Sequence, residues 1–278
     1  MEILVNVQEL GNLLKSGQVM LFDCRYSLQD ANAGRRAYED AHISGAHFAD
    51  MNQDLSRPHV RGKTGRHPLP SRADWNSAVQ AWGITPEVQV VLYDDAGGTG
   101  ASRMWWMLKW LGHEKVAVLD GGWQAWLSEG LPVIADIPEA PAATRVSYLD
   151  MPALAMLLAA DQLDANKHML LDARELPRFR GEVEPIDPVA GHIPGALCSP
   201  FSANLQKDGT FKTAEELRQK FSAANNSDKL VVCYCGSGVT ACHNILAMQV
   251  AGLPMPALYA GSWSEWITDP SRPIAKGE

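Results

Sequence analysis

Cys235 is the residue in this chain best placed to do chemistry. It follows the apolar run Lys229–Tyr234, predicted to be a strand, and opens the segment Cys235-Gly236-Ser237-Gly238-Val239-Thr240. A helical pattern follows over Ala241–Val250 and closes at Gly252. A strand, a small glycine-containing loop and a helix N-terminus form a nest whose N–H groups converge on one anion, and the helix dipole adds to their field. The N–H groups of such a nest favour the charged form of a cysteine placed at its mouth. Gly236 and Gly238 let the backbone curl without a Cβ penalty. Ser237 and Thr240 add hydroxyl groups, and Val239 carries the chain into the helix. The segment therefore reads as a sulfur-centred nucleophile in an anion-binding loop.

Three other readings of these residues meet physical objections. A cysteine at a strand end is often only a small buried hydrophobe, but loop composition and the following helix argue otherwise here. Cys233 lies two residues earlier within the strand and is expected in the core, as are Cys24, Cys198 and Cys242. A metal site from Cys233, Cys235, Cys242 and His243 lacks the usual ligand spacing and a second knuckle. A cysteine phosphatase needs an arginine six residues after the nucleophile to clamp phosphate, and that position is Ala241.

The elements that must position the loop occur twice. Leu21-Phe22-Asp23-Cys24-Arg25 returns as Leu170-Leu171-Asp172-Ala173-Arg174, and His42-Ile43-Ser44-Gly45-Ala46 returns as His192-Ile193-Pro194-Gly195-Ala196. Val90–Asp94 returns as Val231–Cys235, and Asp120-Gly121-Gly122-Trp123 returns as Ala260-Gly261-Ser262-Trp263. Four collinear matches indicate a duplicated domain. Asp94 stands where the second copy has Cys235. Strands are predicted at 19–23, 89–93, 116–119, 168–172, 229–234 and 256–259. Capping pairs Asn6/Glu9, Ser71/Asp74 and Thr213/Glu216 open helices, and Gly83, Gly112 and Gly252 end them. Alternating apolar strands and helices predict an α/β fold: two tandem domains, each a parallel sheet flanked by helices. Ligands bind such sheets beyond the carboxyl ends of the strands, here after Tyr93 and Tyr234. The Pro- and Ala-rich stretch 137–146 reads as a linker, giving domains at 1–136 and 147–278.

Composition sets the outer bounds. The chain has 278 residues, of which 46% are apolar and 20% charged, the balance of a globular protein. A net charge of −8 with no basic face or tail argues against nucleic acid and anionic membranes as partners. No apolar run approaches the roughly 18 residues that span a bilayer, and Met1–Leu10 has no signal-peptide pattern, so a cytoplasmic location is expected. Five cysteines do not suggest a disulfide scaffold.

The duplication, Leu171–Arg174, Arg178-Phe179-Arg180-Gly181, Gly191–Gly195, the Cys235–Thr240 loop and Gly261-Ser262-Trp263 together resemble the two-domain rhodanese-like sulfurtransferases, over essentially the whole chain. The resemblance implies a catalytic C-terminal domain and an N-terminal copy that has lost its cysteine. It implies a cycle in which Cys235 takes sulfane sulfur as a persulfide and passes it to a thiol or cyanide. Thiosulfate-type members carry a C-R-K-G-V-T loop, with two cations for a dianionic donor. The neutral Gly236 and Ser237 resemble the 3-mercaptopyruvate type, and a monoanionic donor needs less positive charge beside the cysteine.

By the same resemblance, Arg178 holds the donor's carboxylate, and His67 with Ser237 belongs to a proton relay. The loop from Gly236 to Thr240 stabilises the thiolate and the persulfide. Two positions depart from the family pattern: Ile186 stands where a second donor-binding arginine is expected, and Asn52 stands where the relay has an aspartate. Arg180 is the candidate substitute anchor. The expected partners are a small-molecule sulfur donor and a thiol acceptor, either a small reductant or a dithiol protein. No metal or organic cofactor is expected, and the sequence does not set an oligomeric state. His42, His192, Asp23 and Asp172 recur in both halves and are read as fold residues, and Trp263 as a candidate wall of the site.

Overall fold

A computed structural model describes residues 2–17 and 19–277. The chain forms two compact units. The first comprises Met1–Arg57, Leu69–Leu154 and Lys207–Thr210, and the second Pro58–Pro68, Ala155–Gln206 and Phe211–Glu278. Pro58–Pro68 thus groups with segments that begin more than eighty residues later, which brings His67 into the same unit as Cys235.

The first unit is built on five parallel strands in the order Leu4–Val5, Val116–Leu119, Gln89–Tyr93, Val19–Asp23 and Ala46–Phe48. The second has four, in the order Ala257–Leu258, Leu230–Tyr234, His168–Asp172 and Leu197–Cys198. Val90–Tyr93 and Val232–Tyr234 are wholly buried, as expected of parallel strands covered on both faces. The strands at 19–23, 89–93, 116–119 and 168–172 coincide with those read from the sequence, and the other two are shortened by one or two residues. The edge strands Leu4–Val5, Ala46–Phe48 and Leu197–Cys198 are too short to show a pattern in the sequence.

The three capping pairs form. Asn6 and Glu9 make a reciprocal capping box on the helix Val7–Ser16, as do Thr213 and Glu216 on Ala214–Lys220. Ser71 caps Arg72–Ala81 through the Asp74 N–H. Such caps contribute about 1 kcal/mol each, enough to fix where a short helix begins.

Both units carry the same ionic anchor below the carboxyl edge of the sheet. Arg25 pairs with Asp23 at 2.6 Å and lies over the Trp123 ring, 4.4 Å from its centroid. Arg174 pairs with Asp172 at 2.6 Å and lies 5.0 Å from the Trp263 centroid. His42 Nδ1 lies 2.7 Å from the Tyr38 carbonyl and stacks on Tyr38, while His192 Nδ1 lies 2.8 Å from the Phe179 carbonyl and stacks on Phe179. These groups tie the H-I-x-G-A turns to the sheets. The two aspartates, two arginines and two histidines are all buried, where a charge is tolerated only when paired.

Candidate active site

In the second unit, strand Leu230–Tyr234 pairs in register with His168–Asp172, so that Tyr234 lies opposite Asp172. Cys235 is the next residue, just beyond the carboxyl edge of the sheet. Three side-by-side supports hold its backbone. The Cys235 N–H donates to Ser262 Oγ at 3.1 Å, the Trp263 N–H donates to the Cys235 carbonyl at 2.9 Å, and the Ser264 N–H donates to the Gly236 carbonyl at 2.9 Å. The Gly238 N–H donates to Cys235 Sγ at 3.1 Å, one N–H where the nest reading expects several to converge. Gly238 has φ +79°, and a Cβ there would run into the Ala260 carbonyl oxygen, so glycine is required at this turn. Val239 is buried and caps the helix Thr240–Val250.

Ser262 holds the loop from an unusual backbone conformation. Among the described residues it is the one non-glycine with positive φ, +56°. Its hydroxyl donates to the Tyr259 carbonyl at 3.0 Å while accepting from Cys235 N–H. Left-handed conformations of this kind cost of order 1 kcal/mol and persist where surrounding contacts impose them.

His67 and Ser237 are brought together: His67 Nδ1 and Ser237 Oγ share a hydrogen bond of 2.8 Å, and both residues are buried. Arg178 sits at the end of the short helix Leu176–Arg180. Its Nη2 donates to Glu184 Oε1 at 2.7 Å and to Asp187 Oδ2 at 3.2 Å. Glu184 also accepts from the N–H groups of Ile186 and Asp187, 3.1 Å each, so the segment 184–187 wraps the arginine. Burial raises the Glu184 carboxyl, but the hydrogen bonds from Arg178 and the Asp187 N–H outweigh it and leave Glu184 below its ordinary value. For Asp187 burial wins over Arg66 and Arg178, and its carboxyl sits above the ordinary value.

Arg66 is the residue that the sequence did not single out. Its backbone N–H donates to Ser264 Oγ at 3.1 Å, and its Nη1 pairs with Asp187. A Cβ built on Gly236 would lie 2.7 Å from Arg66 Nη2 and 3.7 Å from both terminal nitrogens of Arg178. Two guanidinium groups therefore flank the residue that follows the cysteine. A cleft of about 630 Å³ is lined by Thr64, Arg66, Glu184, Ile186, Asp187 and their neighbours. The one available signal was position, since Arg66 immediately precedes His67 in a basic, glycine-rich loop.

Other residues singled out in the sequence fall elsewhere. Arg180 pairs with Glu182 at 4.0 Å, with about a third of its side chain exposed. Ile186 is 40% exposed and contributes its backbone N–H, not its side chain, to the wrapping of Arg178. Asn52 is exposed in the first unit, where its N–H donates to Asp50 at 2.8 Å. Trp263 is wholly buried, with its ring N–H on the Val189 carbonyl at 2.8 Å, so it supports the loop from the core and is not a wall of the site. Burial pushes the Cys233 thiol up, and it pushes Cys198 up to about 11, as for packing cysteines. His243 lies 3.0 Å from Asn204 Nδ2, and Cys242 Sγ lies 3.3 Å from the Gly238 carbonyl, contacts of packing and not of ligation.

The comparisons with known proteins point the same way. The family described as "Rhodanese-like domain" matches residues 6–129 and 157–269. A Pseudomonas aeruginosa protein named "Probable 3-mercaptopyruvate sulfurtransferase" is 50% identical over 99% of this chain and 98% of its own. A Mycobacterium tuberculosis protein named "Putative thiosulfate sulfurtransferase SseB" is 39% identical over 99% of this chain and 98% of its own. The solved structure of 3-mercaptopyruvate sulfurtransferase from Leishmania major superposes with a TM-score of 0.84 at 33% identity, covering 95% of this chain and 74% of that one.

Proposed function

The chain belongs to the rhodanese-like family, and from that premise we propose that it is a sulfurtransferase that draws sulfur from 3-mercaptopyruvate through a persulfide on Cys235. The observation that carries this reading is the charge arrangement beside the cysteine. Gly236 and Ser237 bring no charge to the loop, and the nearby guanidinium groups of Arg178 and Arg66 are matched by the carboxylates of Glu184 and Asp187. A dianion such as thiosulfate would need an excess of positive charge, whereas a monoanionic keto acid needs only directed donors.

In this reading the Cys235 thiolate attacks the thiol sulfur of the donor. The sulfur–carbon bond breaks, and its electron pair leaves on carbon as the enolate of pyruvate, which takes up a proton. The sulfur stays on Cys235 as a persulfide. The hydrogen-bonded Ser237 and His67 are the candidates for moving that proton. The Gly238 N–H, already on Sγ, stabilises the charge on sulfur, with the loop through Thr240 completing the nest. A thiol acceptor, either a small reductant or a dithiol protein, then attacks the outer sulfur and releases the Cys235 thiolate. We assign the nucleophile to the C-terminal domain, 147–278, joined by the linker 137–146 to a domain, 1–136, that has Asp94 in place of the cysteine. The catalytic unit takes in His67 and Arg66 from Pro58–Pro68. The five cysteines are free thiols, which suits a reducing cytoplasm. Among the described residues no helix is long and apolar enough to cross a membrane.

A second reading, thiosulfate as donor by the same persulfide route, is favoured by the 39% identical relative. Catalytic efficiencies measured side by side with 3-mercaptopyruvate and thiosulfate decide between them. The charge balance predicts a preference for mercaptopyruvate of at least about tenfold, the equivalent of one lost hydrogen bond to a charged group. A preference for thiosulfate overturns the donor assignment.

A further inference from the structure

We propose that Arg66 is a donor-binding residue that sets specificity in this site. In this role it supplies the second guanidinium that Ile186 cannot. The inference rests on the reading above that the donor is a 2-oxo acid. Such a donor presents a carboxylate and an adjacent carbonyl, two acceptors side by side, and two converging guanidinium groups match them better than one.

Three observations carry it. The first is placement. Arg66 Nη2 occupies the space that a side chain at 236 would enter, and Arg178 closes the same space from its other side. Gly236 does not adopt a left-handed conformation, so what the absent side chain leaves here is room for Arg66. The second is preorganisation. Asp187 accepts from Arg66 through one oxygen and from Arg178 through the other, so one carboxylate sets the spacing of both forks. The Arg66 backbone is fixed by Ser264, whose own N–H holds the Gly236 carbonyl. The third is an unmet donor. Arg66 Nε is buried and, among the described residues, has no hydrogen-bond partner, a condition native proteins rarely leave uncompensated.

Position 186, by contrast, presents an exposed apolar side chain. The second cation beside Gly236 comes from the residue before His67, a location invisible in the spacing of the second repeat.

The test combines Arg66→Ala, Arg66→Lys, Gly236→Ala and the double variant Arg66→Ala/Gly236→Ala. Thermal melting and circular dichroism are used to confirm that each is folded. For Arg66→Ala, KM for 3-mercaptopyruvate is expected to rise about 10- to 100-fold, as for loss of a hydrogen bond to a charged group, with kcat within about threefold of wild type. Arg66→Lys, which keeps the charge but not the fork, falls between the two. Gly236→Ala displaces Arg66 Nη2 and raises KM by itself, but adds little to Arg66→Ala, because both changes remove the same contact. KM values for Arg66→Ala and Arg66→Lys within twofold of wild type overturn the assignment, as does simple additivity of Arg66→Ala and Gly236→Ala. A wild-type protein whose Cys235 gains no sulfur from mercaptopyruvate overturns the donor reading and this inference together. A loaded wild type with unmoved KM in the variants overturns Arg66 alone.

Discussion

The two loops that follow the central strands began as copies and now handle negative charge in opposite ways. In the first unit Asp94 fills its own nest. Its carboxylate accepts from the N–H groups of Ala96, Gly98 and Ala101, 2.8 Å each. In the second unit the matching residue is Cys235, whose sulfur takes the Gly238 N–H. One support behind the loops is shared. The Trp123 N–H holds the Asp94 carbonyl at 2.8 Å, as the Trp263 N–H holds that of Cys235 at 2.9 Å. The difference teaches that the fold offers an anion site at this edge, and that a fixed carboxylate turns the site into a structural bond. A sulfur atom in its place keeps the site available for chemistry.

The largest test of this comparison exchanges the residues. Cys235→Ser is expected to lower sulfur transfer by about a thousandfold or more, as for loss of a nucleophile, and adding Asp94→Cys is not expected to restore it. The first loop has Asp95 where the second has Gly236, and Ala96 where the second has Ser237, so a cysteine there would face a carboxylate and lack a hydroxyl partner. Turnover by the Asp94→Cys/Cys235→Ser protein would show that the loop alone suffices.

A smaller test concerns the support beneath each loop. Gly122 in the first unit and Ser262 in the second share nearly the same backbone angle, φ +55° and +56°. Glycine adopts it freely, whereas serine is strained there. The second unit accepts the strain and gains a hydroxyl on the Cys235 N–H. Ser262→Gly is therefore expected to leave stability within about 1 kcal/mol of wild type, strain relief offsetting lost hydrogen bonds. Its kcat/KM is expected to fall about tenfold, the equivalent of one hydrogen bond lost at the reacting centre. A stability loss with unchanged kinetics would make Ser262 purely structural.

The smallest effect belongs to Asp94. Asp94→Asn turns an amide N–H₂ toward at least one loop N–H, costing about 1–3 kcal/mol of stability with turnover unchanged. Burial raises the Asp94 carboxyl, more than the N–H groups of Ala101, Ala96 and Gly98 lower it. Because the folded value exceeds the unfolded one, the folded state takes up the proton first. This group therefore adds stability as pH falls from neutrality toward the ordinary carboxylate value of about 4, and loses that contribution as pH rises. Denaturant unfolding at several pH values should show this slope in wild type and not in Asp94→Asn.

Much of this was legible in the sequence because the central strands are buried on both faces and so read as continuous apolar runs. The duplicated Asp–Arg and His–Ile–x–Gly–Ala signatures marked the shared anchors. The Cys235 loop declared itself by composition, and the resemblance supplied the pairing of His67 with Ser237. Arg66 was not legible, since its partners Asp187 and Ser264 lie 121 and 198 residues away and no local pattern links them. Ser262 was equally hidden, because nothing in a serine announces a left-handed backbone. Arg180, read from the sequence as a substitute anchor beside Arg178, sits at the end of their helix, where the Gly181 turn has the φ +73° of a left-handed cap. The wrapping 184–187 segment then selects Arg178 and not Arg180.

Whether Cys235 carries the transferred sulfur can be read from the mass of the peptide containing it. The folded protein is incubated with 3-mercaptopyruvate without an acceptor, then digested under non-reducing conditions. The Cys235 peptide is expected to be heavier by one sulfur atom and to return to its original mass when a thiol is added, with no such gain on Cys24, Cys198, Cys233 or Cys242. An unmodified Cys235 in a protein that still turns over the donor would contradict this assignment.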